Sequence, residues 1–270
     1  NMCSLRCVQR ILFSDYDYKD KRANANKKGT MSIVRKPFIF RQFYESMTST
    51  YTYLIGCEKT RQAIIIDPVL ETVDRDSKYI REMDLNLLYG INTHVHADHI
   101  TGTSELRKLF PKMKSVLSPY SGGSADMFLD YDQPLKVGDL TFSFLSTPGH
   151  TNGCTTIVSD DLEACFTGDT LLIRGCGRTD FQGGSAEKLY RSITEKIFKL
   201  PDHYKVYPGH DYNGVHNSTI KEEKLFNPRL TRSLEQFIEI MNNLHLDHPK
   251  QIDRAVPANL KDGIIDNNRS

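Results

Sequence analysis

No two of the six cysteines are spaced C-x-x-C, no apolar run approaches the ~20 residues a membrane-spanning helix needs, and neither sign of charge is in excess. The scattered thiols of Cys3, Cys7, Cys57, Cys154, Cys165 and Cys176 read as reduced cysteines in a reducing compartment, not as a disulfide framework. The 35 basic and 34 acidic residues leave a formal charge of +1. Such a balance offers nucleic acid or an anionic membrane little attraction, so neither is expected as a partner. With 270 residues, 39% of them hydrophobic, the chain can bury a substantial core in one large domain.

The first thirty residues differ in character from the rest. Arg6, Arg10, Lys19, Lys21, Arg22, Lys27 and Lys28 stand there against Asp15, Asp17 and Asp20. The opening MCSLRCVQRILF is basic, amphipathic and free of acids, as an organelle transit peptide is, although DYDYKD departs from that pattern. A disordered basic extension fits the composition equally. Residues 1–36 are therefore set apart as an extension, and 37–270 as the folded domain.

From residue 37 apolar runs alternate with helical spacing. PFIFRQF, YTYLIGC, QAIIIDP, LNLLYGINTH, LTFSFLSTPGHT, TTIVSD, EACFTGDT and KVYPGHD read as strands. Residues 72–84, TSELRKLF and SAEKLYRSITEKIF read as helices, and the last sixty or so residues as mainly helical. Interleaved strands and helices predict a layered α/β sandwich. Two strand-rich halves flank residues near 115, as a degenerate repeat would.

Four predicted strand ends carry side chains that can bind metal: THVHADH (93–99), TPGHT (147–151), FTGDT (166–170) and YPGHD (207–211). Three of them set Gly before His or Asp, where a positive φ would swing the next side chain inward. Unrelated polar turns do not repeat a strand–turn–ligand pattern four times. His94, His96, Asp98, His99, His150, Asp169 and His210 could thus form one or two adjacent metal sites, with Asp169 bridging if there are two. His203, His216, His245 and His248 stand alone among polar neighbours and read as surface histidines.

H-x-H-x-D-H, then a lone His, an Asp in GD and a final His resemble the metallo-β-lactamase superfamily over roughly residues 37–260. That resemblance implies an αββα sandwich with a short helical C-terminal part and the site at one edge of its paired sheets. Within the superfamily, IDPVLETVDRD, NTHVHADHITG, FTGDTLLIRGCGRTDFQGG, YPGHDY, FNPRL and AVPANL are similar to the persulfide dioxygenases. This narrower resemblance implies oxidation of glutathione persulfide by O2 to sulfite and glutathione, at one Fe(II) per chain held by His94, His150 and Asp169. Such a set leaves three positions of an octahedral ion open. His96, Asp98, His99 and His210 would then orient the ligands or form a second metal position.

The same resemblance assigns glutathione contacts to Arg178, Tyr212 and Arg229, and implies a homodimer in the mitochondrial matrix, with cytoplasm or another organelle as alternatives. Phe181 reads as core, and Cys176 has no base beside it, so no nucleophile is assigned there. The competing reading is a glyoxalase II-type hydrolase of S-lactoylglutathione with zinc or a mixed dinuclear metal. Two departures weigh against it: the aromatic of GCGRTDF comes late, and only about sixty residues follow His210. A non-catalytic metal-stabilised binding protein would need a closed four-coordinate site, which three ligands with open positions do not make.

Overall fold

The computed structural model describes residues 36–265. The basic extension, with Cys3 and Cys7, lies outside the described residues except for Lys36. Two six-stranded sheets follow one another along the chain. The first holds β1 (Phe38–Glu45), β2 (Thr50–Cys57), β3 (Gln62–Ile66), β4 (Asn86–Ile91), β5 (Lys114–Leu117) and β6 (Met127–Phe128), paired in that order. Its first three strands are antiparallel and the later pairings parallel. The second holds β7 (Leu135–Val137), β8 (Leu140–Ser146), β9 (Thr155–Ser159), β10 (Ala164–Gly168), β11 (Lys205–Pro208) and β12 (Ser218–Thr219), with only β10 and β11 parallel.

The helices are α1 (Val73–Glu82), α2 (Thr103–Leu109), α3 (Ala186–Arg191), α4 (Ile220–Phe226), α5 (Leu234–Asn242) and α6 (Ile252–Asn259). Side chains two apart on a strand share a face, and here both faces are apolar. Tyr51, Tyr53 and Ile55 of β2 and Ile64 and Ile66 of β3 meet Phe142, Phe144, Ile157 and Phe166 between the sheets. Their neighbours Leu54, Ala63 and Ile65 turn outward onto Val73 and Ile80 of α1 and Leu106 of α2. Val158, Cys165 and Val206 turn the other way, onto Leu189 of α3, Ile220 of α4 and Phe237 of α5. The result is the αββα sandwich expected.

The two halves repeat one pattern. Antiparallel β1–β2–β3, crossover α1 and parallel β4 in the first half correspond to antiparallel β8–β9–β10, crossover α3 and parallel β11 in the second. Strands β5, β6, β7 and β12 are two to four residues long, too short for hydrophobic alternation to register. SAEKLYRSITEKIF, expected as one helix, is α-helical only to Arg191, widens over Ser192–Lys196 and tightens over Ile197–Lys199. There Ser192 Oγ donates to the Pro148 carbonyl (2.7 Å) and Thr194 Oγ1 to that of Tyr190 (2.8 Å), hydroxyl bonds that compete with a regular helix ladder. Cys57, Cys154, Cys165 and Cys176 are buried free thiols. Among the described residues no helix is long and apolar enough to cross a membrane.

Candidate metal centre

Strand ends deliver the titratable side chains. His94, His96, Asp98 and His99 follow β4, His150 follows β8, Asp169 follows β10 and His210 follows β11. Gly168 takes φ +50°, and a Cβ there would lie 2.4 Å from Thr93 Oγ1, so only glycine lets β10 turn against the histidine loop. Gly209 differs from expectation: it has no positive φ, and glycine is needed because a Cβ would lie 2.6 Å from Asp169 Oδ1.

All seven side chains come together. His94, His150 and Asp169 each offer a donor atom within 4.8 Å of the other two, and His96, Asp98 and His99 form a second such group. His150 Nε2 lies 3.6 Å from Asp169 Oδ2. His210 Nε2 lies 3.6 Å from Asp169 Oδ1 and 3.5 Å from Asp98 Oδ2, joining the two groups. The four histidines read as surface residues, His203, His216, His245 and His248, are exposed.

Every clustered imidazole spends one ring nitrogen on the protein. His150 Nδ1 donates to the Arg178 carbonyl (2.7 Å), and His210 Nδ1 to the Thr48 carbonyl (3.1 Å). His99 Nδ1 donates to Asp98 Oδ2 (2.8 Å), and His96 Nε2 to Asp67 Oδ1 (3.1 Å). Thr93 Oγ1 gives its proton to Asp67 Oδ2 (2.8 Å) and so accepts from His94 Nδ1 (3.0 Å). In a neutral ring these bonds place the lone pair on the other nitrogen. Four buried atoms in the cluster have no hydrogen-bond partner: His94 Nε2, His96 Nδ1, His99 Nε2 and Asp169 Oδ1. Leaving a buried polar group unsatisfied costs about 1–3 kcal/mol, and four in one cluster fit a cation that takes their lone pairs.

The electrostatics suit that role. Burial, reinforced by neighbouring imidazoles, pushes the His94 and His96 pKa values well below the usual histidine range, which keeps them neutral. Burial alone would raise the Asp169 carboxyl, but His210, His150 and His94 outweigh it and hold it below its usual value. Burial would likewise raise Asp98, and His99 and His210 hold it well below. Burial opposes protonation of His210, yet Asp169 and Asp98 carry its pKa to about 9. Desolvation pushes the Cys154 thiol up to about 12 and also raises Cys165 and Cys176, so these are poor nucleophiles.

Asp67 and Thr93 escaped the sequence reading. Asp67 follows β3 as Asp169 follows β10, and its carboxylate fixes two imidazoles through Thr93 and His96. Their only signal was the repeat itself, an acid after corresponding strands. Among the residues expected at the substrate, Tyr212 is 74% exposed and its ring lies parallel to His210, 6.1 Å away. The Arg178 guanidinium binds both oxygens of Asp180 (2.7 Å each) and the carbonyls of Leu246 and Asp247. Half-buried Phe181 lies beneath it rather than in the core. Arg229 donates to the Cys176 carbonyl (3.1 Å). A cavity of about 350 Å³, lined by Val95, Thr151, Asn152, Gln182, Val256 and Leu260, adjoins the loops that carry His94, His96 and His150.

Comparison with known proteins follows the same lines. Residues 47–210 match the metallo-β-lactamase superfamily. The chain is 52% identical over 243 residues to the Mus musculus protein named persulfide dioxygenase ETHE1, mitochondrial, across 90% of this chain and 96% of that one. It is 51% identical over 228 residues to the Homo sapiens protein of the same name, across 84% and 90%. The crystal structure of ETHE1 from Myxococcus xanthus superposes with a TM-score of 0.81 at 51% identity, covering 84% of this chain and 100% of that one.

Proposed function

The chain belongs to the persulfide dioxygenase family of the metallo-β-lactamase superfamily, and from that premise we propose that it oxidises glutathione persulfide with O2 at one ferrous ion per chain, held by His94, His150 and Asp169. The observation that carries this reading is the meeting of two imidazoles and one carboxylate within 4.8 Å, with His94 Nε2 and Asp169 Oδ1 left without hydrogen-bond partners. Two histidines and one carboxylate on a single face leave three positions of an octahedral ion for other ligands. When bound, ferrous iron supplies redox chemistry toward O2 and affinity for a persulfide sulfur.

The reaction balances as glutathione persulfide, O2 and water giving glutathione, sulfite and two protons. The chain's own part is orientation. The Arg178 carbonyl and Thr93 hydroxyl fix the ring orientations of His150 and His94 through Nδ1, and the surrounding imidazoles keep Asp169 anionic. His96, Asp98, His99 and His210 support these ligands from the side. Tyr212 faces solvent beside His210, where the peptide part of the substrate would pass, and Arg178 and Arg229 are assigned to its carboxylates. Because Asp180 already occupies the Arg178 fork, a substrate carboxylate there would have to displace it or share it.

The donor group His96, Asp98 and His99 favours a second reading, a dinuclear zinc or mixed-metal hydrolase of S-lactoylglutathione with Asp169 bridging. Metal content and product separate the two. One iron per chain, with one sulfite formed per O2 consumed, supports the dioxygenase, and two metals with thioester hydrolysis support the hydrolase. The proposal extends to a homodimer, tested by light scattering, and to the mitochondrial matrix, the address in the relatives' names, tested by import into isolated mitochondria.

A further inference from the structure

The loop carrying His96, Asp98 and His99 lies outside the helices and strands, so its main-chain carbonyls need partners from elsewhere. Two of them share one. Asn259, at the end of α6 and about 160 residues further along the chain, is buried, and its amide nitrogen donates to the carbonyls of His96 (2.9 Å) and His99 (2.8 Å). Its amide oxygen accepts from the main-chain nitrogen of Thr101 (2.9 Å). Two carbonyl acceptors and one N–H donor around the amide permit a single orientation of the group. Both amide hydrogens are used, and both on residues of the histidine loop.

The surroundings make the contact rigid. Ala255 and Ala258 of α6 pack against Ile100 of the same loop. Thr101 Oγ1 donates to Asn92 Oδ1 (2.7 Å), and Thr103 Oγ1 donates to Asp262 Oδ1 (2.8 Å) just beyond α6. A one-residue shift of α6 would break all three Asn259 bonds together.

We propose that Asn259 is a positioning residue of the metal centre, setting the spacing of the His96 and His99 main chain so that the C-terminal helix is a working part of the site. This rests on reading the histidine cluster as a metal site. An effect on folding alone would lower thermal stability without selectively weakening metal binding, and that difference is what the test reads. Asn259→Asp keeps the shape and the oxygen facing Thr101 but turns an acceptor toward two carbonyls. Arg254→Gly weakens the same helix at an exposed position, away from the histidine loop.

The experiment measures the affinity of each protein for Fe(II), and for Co(II) as an air-stable probe, by competition with a chelator, alongside the thermal midpoint without metal. Asn259→Asp is expected to bind at least about tenfold more weakly, because the loop that carries His94 and its supporting imidazoles loses its anchor. Arg254→Gly is expected to bind as the wild type does. If Asn259→Asp is recovered unfolded, Asn259→Ala, which leaves room for water at both carbonyls, carries the same expectation. Unchanged affinity in the Asn259 variants, or an equal loss in Arg254→Gly, overturns the inference alone. A wild-type protein that takes up neither ion overturns the metal-site reading and the inference with it.

Discussion

His150 Nδ1 donates a 2.7 Å hydrogen bond to the main-chain carbonyl of Arg178, and this contact decides which ring nitrogen faces Asp169. The tautomer of an imidazole assigned to the metal is thus set by the backbone of the 175–178 loop. Gly177 lies inside that arrangement: its N–H donates to the Asp169 carbonyl (2.8 Å), and a Cβ on it would stand 2.4 Å from that oxygen and 2.9 Å from His150 Cγ. Gly175 has nothing closer than 3.9 Å. Gly177→Ala is therefore expected to weaken metal binding at least about tenfold, and Gly175→Ala to leave it near wild type. Chelator competition on the pair checks this, and equal behaviour of the two variants would contradict it.

Asp67 serves two histidines at once, accepting from His96 Nε2 and, through Thr93, anchoring His94. Asp67→Asn puts an amide N–H where one of these acceptors stood and forces a ring to change tautomer. Metal affinity should fall by about 10–100-fold. Nitrogen-15 NMR of the histidine rings should show altered tautomers at His94 or His96. Unaltered ring nitrogens would remove Asp67 from this role.

Arg178 presents its guanidinium to Asp180 and to two carbonyls near residue 247 while its own carbonyl holds His150. Arg178→Ala keeps the carbonyl and removes the guanidinium. The expected result is a raised KM for glutathione persulfide with kcat little changed, since the side chain is assigned to ground-state binding. Steady-state kinetics decide it, and a pure loss of kcat would instead tie Arg178 to the reacting atoms.

Away from the site, Asp76 is fully buried on α1, with Oδ1 2.8 Å from Arg75 Nε and Oδ2 unpartnered. Burial carries its pKa from 3.8 to about 6 against the pull of Arg75. The folded chain keeps this proton to higher pH than the unfolded chain does. Its stabilising contribution is therefore complete below pH 3.8 and lost as the pH rises through about 6. At pH 7 the difference is about 3 kcal/mol, so the stability of Asp76→Asn relative to wild type should rise by about 2–3 kcal/mol between pH 4 and 7. Urea unfolding of the metal-free proteins measures it, and a constant difference across that range would contradict the assignment.

Much of the site was legible because its chemistry is local: His94, His150, Asp169 and His210 each sit at the end of a recognisable apolar strand. Asp67 ends such a strand too, but QAIIIDP gives no sign that its partners are Thr93 and His96. Asn259 was hidden for the same reason, its three bonds reaching back to residues 96–101. Ring tautomers depend on acceptors such as the Thr48 and Arg178 carbonyls, which only folding brings within reach. The break in the helix after Arg191 was also out of sight, because Ser192 bonds to Pro148 across the fold. For Arg178 the sequence suggested a glutathione contact, and only the structure shows its guanidinium already held by Asp180, two residues away.

The most direct test of the central claim is O2 uptake by the Fe(II)-loaded protein given glutathione persulfide, with S-lactoylglutathione hydrolysis followed in parallel. The expected result is O2 consumption matched by sulfite, no thioester hydrolysis, and loss of both iron and uptake in His150→Ala and Asp169→Ala. Thioester hydrolysis without O2 uptake, or substantial uptake by iron-free Asp169→Ala, would contradict it.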